Sequence, residues 1–202
     1  MRLNKVIAYL TLSDIFTWGF YSVLVSLSGI YLAGKLEQDV IKVVGTGTAI
    51  YLLTNGLSQL PIGIIGDRIK DHKDEVIMLM IGNILMGTPF LFYPIISTPY
   101  LYYVLQFILG VGAAINVINW RKLFALNLDN GSEGILYGTY GTIMGIVAAV
   151  FGLLAGYLGN LGTEMFDIVI VSIGLIMILS STFGGLILRH TNKLQSNSVS
   201  LD

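Results

Sequence analysis

Six apolar stretches, at roughly 5–34, 40–66, 75–96, 98–120, 135–160 and 165–188, leave this chain few ways to fold. A helix rises about 1.5 Å per residue, so about 20 apolar residues cross a hydrocarbon core of about 30 Å, and each stretch reaches that length. In lipid every backbone N–H and C=O must find its partner inside the protein, which a helix achieves by itself. The sequence therefore predicts an all-α integral membrane protein, with six transmembrane helices filling residues 1-189. Only 11% of the 202 residues are charged, against about 25% in a soluble domain. The segment 190-202 is polar, rich in Ser and Asn, and reads as a disordered cytoplasmic tail.

Several function classes lose support at once. A net charge of -1 offers nucleic acid no basic surface. Cysteine is absent, which removes disulfides, thiolate metal sites and cysteine nucleophiles together. The two histidines, His72 and His190, lie far apart without ligand spacing, so no metal is expected. No Ser/His/Asp set, phosphate loop or carboxylate pair points to an enzyme, and Gly110-Val111-Gly112 lacks the third glycine of a dinucleotide site, so no cofactor is expected either. The first apolar run is too long for a signal peptide, contains Asp14 and has no Ala-x-Ala site; it reads as a retained helix.

Basic residues set the topology. Arg2 and Lys5, then Arg68, Lys70 and Lys73, then Arg121 and Lys122, then Arg189 and Lys193 share one side if the helices alternate, and only Lys35 and Lys42 fall on the other. Cytoplasmic loops are enriched in Lys and Arg, so both termini are expected in the cytoplasm of a cell membrane protein.

Asp14 is the sharpest single residue. It falls nine residues into the first helix, about 13 Å deep, where an ionisable group is costly and faces a bundle interior or a watery cavity. Trp18 and Tyr21 follow at i+4 and i+7, on the same helical face. Two readings stand: a wall for a cationic or protonatable solute, with proton coupling at the carboxylate, or a hydrogen-bonded aspartate that only holds helices together. Asn55, Asn83 and Gln106 join it as candidate cavity residues, though such amides also bond between helices. Gly110 opens a small-residue run in helix four. Helix five carries Gly138, Gly141, Gly145, Gly152, Gly156 and Gly159 largely on one stripe, expected to pack tightly against a neighbour. Tyr31, Tyr100, Tyr102 and Tyr103 read as interfacial belt residues. Gly63-x-x-Gly66-Asp67 ending helix two reappears as Gly156-x-x-Gly159-Asn160 ending helix five, as an inverted three-helix repeat would show.

The loop Gly63-Ile64-Ile65-Gly66-Asp67-Arg68 resembles the signature Gly-x-x-x-Asp-Arg/Lys between helices two and three of the major facilitator superfamily. Lys70 stands where that family has glycine, and Asp71 and His72 interrupt its basic run. Leu57 to Gly63 and Gln106 to Ala114 resemble the family's approach to the loop and its fourth helix, with Gln106 where many members carry arginine; Gly145 is followed by Ile146 rather than the proline of the antiporter motif. The resemblance implies one half of the family's fold, two inverted three-helix repeats, where relatives have two six-helix halves with solute held between them. It further implies a transporter of a small solute, working by alternating access as a homodimer or with another half, with Gly63, Asp67 and Arg68 as a gate. Arg121 is then the expected charge partner of Asp67, and Asn130 or Ser132 the cap of the facing helix. The alternative is a non-transporting interaction subunit.

Overall fold

A computed structural model describes residues 4–36, 39–68, 72–128, 131–159 and 163–189. Lys70, Asp71, Asn130 and the segment 190-202 lie outside them. The six membrane-length helices are α1 (Lys5–Lys35), α2 (Val40–Arg68), α3 (His72–Leu91), α4 (Pro99–Leu126), α5 (Glu133–Gly159) and α6 (Thr163–Leu179), the last continuing after a turn at Ser180 and Ser181 as a short helix over 182–189. No strand occurs among the described residues.

Local chemistry sets several ends. The Asn4 side chain accepts the Val6 N–H at 2.9 Å and caps α1. Thr98 caps α4 with Pro99 in its first turn, where a missing N–H has no consequence. Helix α3 closes at Leu91 into a 3-10 turn over Tyr93–Ile95, next to Pro89 and Pro94. Three boundaries differ from the sequence reading, the first being the end of α3 at Leu91 rather than near 96. Helix α4 runs to Leu126 rather than stopping near 120, so Arg121 and Lys122 are helical. Helix α6 breaks at Ser180, whose hydroxyl donates to the Met177 carbonyl at 2.6 Å, a local bond that competes with the helical ladder.

Helices α3 and α4 form the central pair, with α2 against α4, α6 against α3, and α1 meeting α5 and α6. Glycines permit the close approaches. A Cβ at Gly82 would stand 2.6 Å from the Asn116 nitrogen, one at Gly112 2.8 Å from Leu85, and one at Gly110 2.8 Å from the Tyr51 carbonyl. In each three-helix set the middle helix thus leans on the first helix of the other set, α2 on α4 and α5 on α1, as inverted repeats require. Two apolar clusters fill the interior, one around Tyr93, Tyr102 and Phe90, the other around Leu10, Trp120 and Phe124.

Two expectations change here. Tyr31 and Tyr102 are only 3% and 2% exposed and belong to the core, while Tyr100 at 76% suits an interfacial position. The tight packing expected of the helix-five stripe is absent inside the chain. A Cβ added at Gly138, Gly141, Gly145, Gly152 or Gly156 would meet nothing within 4 Å, because α5 turns its opposite face, with Tyr140, Val147 and Phe151, towards α1. Gly45, Gly56 and Gly63 on α2 are equally open. Accordingly α2 and α5 are the least buried helices, with 17% and 6% of their most apolar windows covered against 39–56% in the others.

Candidate functional site

Asp14 closes the first α-helical segment, and the next turn, Ile15–Gly19, is π-helical. Single π turns inside α-helices cluster at functional sites because they turn the following side chains away from the regular register. Asp14 is 2% exposed, which at membrane depth costs about 2.5–3.5 kcal/mol on insertion scales. One carboxylate oxygen, Oδ2, accepts the Tyr140 hydroxyl at 2.6 Å; the other, Oδ1, is buried with no hydrogen-bond partner.

The carboxylate stands in the wall of an open-sided cavity of about 220 Å³ between α1, α4 and α5, shared with Trp18, Asn116, Val117, Trp120, Arg121 and Tyr140. Three aromatic side chains and one charge of each sign make up most of that wall. The Trp120 and Tyr140 rings meet 4.6 Å apart at a tilt of 38°, and the Trp120 indole N–H donates to the Leu10 carbonyl at 3.3 Å. Behind them an amide chain fixes the wall: Trp18 Nε1 donates to Asn116 Oδ1 at 2.9 Å, Asn116 Nδ2 to Asn83 Oδ1 at 2.6 Å, and Asn83 Nδ2 to Ser13 Oγ at 2.9 Å. One network thereby joins α1, α3 and α4 at the depth of Asp14.

The six cavity residues proposed from sequence separate into different places. Asp14 and Trp18 share the cavity just described, and Asn83 supports it from behind. Tyr21, beyond the π turn, lies with Gln106 on a second cavity of about 270 Å³ toward the other end of the bundle, where Gln106 Nε2 donates to the Tyr93 hydroxyl at 3.0 Å. Asn55 joins neither; it accepts the Gln59 amide at 2.6 Å one turn along α2. Trp120 and Tyr140 were missed. Nothing in local spacing connects Tyr140 to Asp14, 126 positions earlier.

At the Arg68 end of the bundle, Asp67 pairs with Lys122 at 3.2 Å, not with Arg121. Adjacent helical residues point about 100° apart, and that turn sends Arg121 to the cavity wall while Lys122 reaches α2 and α3. Lys122 also binds the buried Glu75 at 2.9 Å and the Gly66 carbonyl at 2.9 Å, so one ammonium joins three helices. Arg68 is exposed at the last residue of α2, and Ser132 immediately precedes α5, its carbonyl accepting the Leu136 N–H at 3.0 Å. At the opposite end Asp167 accepts the Tyr31 hydroxyl at 2.5 Å and pairs with Lys35 at 3.3 Å, a second cross-helix group not anticipated from sequence.

Among the described residues no group of three His, Cys, Asp or Glu side chains is placed to hold a metal ion. The protein-family model described as Major Facilitator Superfamily matches residues 7–201. No curated protein and no solved structure was found to match.

Proposed function

The chain belongs to the major facilitator superfamily, and on that premise we propose that it moves a small solute across the cell membrane by alternating access, with the Asp14 cavity as its solute or proton site. The observation that carries this reading is the Asp14 carboxylate, buried at membrane depth with one oxygen unpartnered, on a cavity open at one side.

Alternating access needs a second wall, and the uncovered faces of α2 and α5 are where a second six-helix unit would supply it. The second unit is another copy of this chain, paired in parallel about a twofold axis, so that the surface used is the same on both. Asp67, Arg68 and Lys122 form the gate at the end where basic residues gather, which the positive-inside rule assigns to the cytoplasm. Protons couple through Asp14, which must lose and regain its charge as the cavity changes access.

The purified chain in liposomes, exposed to a mixture of small metabolites and then assayed for vesicle contents, tests this directly. Uptake above empty vesicles, with a dimer in native mass measurement from lipid, is the expected result. A strict monomer with contents equal to the controls sinks it. The glycine stripe of α5, with room for an added Cβ at Gly138, Gly141, Gly145, Gly152 and Gly156, also favours a second reading, an interaction subunit that binds another membrane protein without transport. Asp14→Asn separates the two, abolishing uptake under the first and leaving partner binding intact under the second.

A further inference from the structure

The Asp14 cavity carries more than a position for a solute. Both tryptophans of the chain, Trp18 and Trp120, stand in its wall, together with Tyr140. Indole faces are the strongest aromatic partners of cations, and several rings around one carboxylate form the arrangement that recognises alkylated ammonium groups. The hydrogen bonds of the three rings are committed elsewhere. The Trp18 N–H goes to Asn116, the Trp120 N–H to Leu10 and the Tyr140 hydroxyl to Asp14. The rings therefore border the cavity with carbon rather than with free donors, Trp120 being also stacked on Phe124 at 4.7 Å, which suits a group that has no N–H to give.

Two charges face this cavity, Asp14 from α1 and Arg121 from α4, and they differ in their need for a partner. Arg121 is exposed and keeps its hydration, whereas Asp14 is buried and its Oδ1 has none. A positive charge is one group that would supply that partner. A volume of about 220 Å³ is enough for a compact ammonium head with a short tail.

We propose that the Asp14, Trp18, Trp120 and Tyr140 cavity binds a small solute bearing a methylated ammonium group. This deepens the transport reading of the same cavity and rests on it, but binding is measured without flux. Two kinds of solute carry the group. A plain cation leaves Arg121 in water, and a zwitterion places its anionic end against Arg121.

Because both tryptophans are in the wall, intrinsic fluorescence of the full chain in lipid nanodiscs reads occupancy directly. Tetramethylammonium, choline and glycine betaine are titrated beside 3,3-dimethylbutan-1-ol, the uncharged counterpart of choline, at constant ionic strength. The expected result is a saturable change with at least one of the three charged probes and none with the alcohol. Asp14→Asn then weakens binding about tenfold or more, while Trp120→Phe, which keeps an aromatic face, weakens it only a few-fold. Tighter binding of betaine, lost in Arg121→Ala, identifies a zwitterion; tighter binding of choline, improved in Arg121→Ala, identifies a plain cation. Either supports the proposal. An equal response to the alcohol, or no saturable change in folded protein, overturns it. If metabolite uptake persists with no ammonium binding, the ligand class fails and transport stands. If ammonium binds without any uptake, the ligand class stands and transport fails.

Discussion

Asp14 and Lys122 are the two residues whose removal has the clearest consequences, and the consequences differ in kind. In Asp14→Asn the amide oxygen still accepts the Tyr140 hydroxyl, so the hydrogen bond survives and only the charge is lost. Thermal stability is expected to hold or rise, because a costly buried charge has gone, while solute uptake falls to the level of empty vesicles. Loss of uptake accompanied by a large drop in melting temperature would assign Asp14 to structure instead. Lys122→Met has the opposite profile. It keeps the stem but removes the ammonium shared by Glu75, Asp67 and Gly66. Breaking a fully buried pair costs about 3–5 kcal/mol; Lys122 is 28% exposed, so a destabilisation on the order of 2 kcal/mol is expected in a denaturant or thermal melt. The residue itself was visible in sequence as a basic position. Its partners were not, since choosing between Arg121 and Lys122 needs the rotational setting of α4 against α2 and α3.

Among the elements, α3 and α4 depend on the absence of side chains where they cross. A Cβ at Gly82 would stand 2.6 Å from the Asn116 nitrogen and 2.9 Å from its Cα, both backbone atoms that cannot rotate aside. Gly82→Ala must therefore separate the helices at the point where Asn116 bonds Asn83, and a loss of about 1–3 kcal/mol is expected, read as a lowered melting temperature in detergent. Gly145→Ala on the open face of α5 is the control, expected within about 0.5 kcal/mol of the parent. An equal effect of both would refute the assignment of the close contact to Gly82. Element existence was legible because hydrocarbon thickness and backbone hydrogen bonding force the same answer on each of the six stretches. Which glycines touch a neighbour was not legible. Gly145 stands in the glycine stripe and Gly82 does not, yet Gly82 is the one that meets a neighbour, and only the azimuth of each helix decides that. The π turn at Ile15–Gly19 left no periodic signal either, and it moved Tyr21 away from the cavity that its spacing from Asp14 implied.

For the whole molecule, the open stripes on α2 and α5 constrain how two copies could meet. At about 100° per residue Gly45, Gly56 and Gly63 fall within about 20° of one line along α2, and Gly138, Gly145 and Gly156 do the same along α5. The helices run in opposite directions, so depth is counted from Arg68 in one and from Glu133 in the other. Gly63 and Gly138 then lie five residues in, Gly56 and Gly145 twelve, and Gly45 and Gly156 twenty-three, three glycine pairs in a single antiparallel register. Under a twofold operation α2 of one copy meets α5 of the other twice, which closes the assembly and covers both stripes. The absence of cysteine makes the arrangement measurable without background. Gly56→Cys and Gly145→Cys chains, mixed and reconstituted in lipid, are expected to form a disulfide-linked mixed dimer under mild oxidation, while Gly56→Cys with Gly156→Cys, about 16 Å apart in depth, is not. Equal linking of both mixtures would reduce the matched register to coincidence. Linking of Gly145→Cys only to itself would place α5 against α5 on the axis, and the Asp14 cavity would then open to lipid rather than to a facing copy.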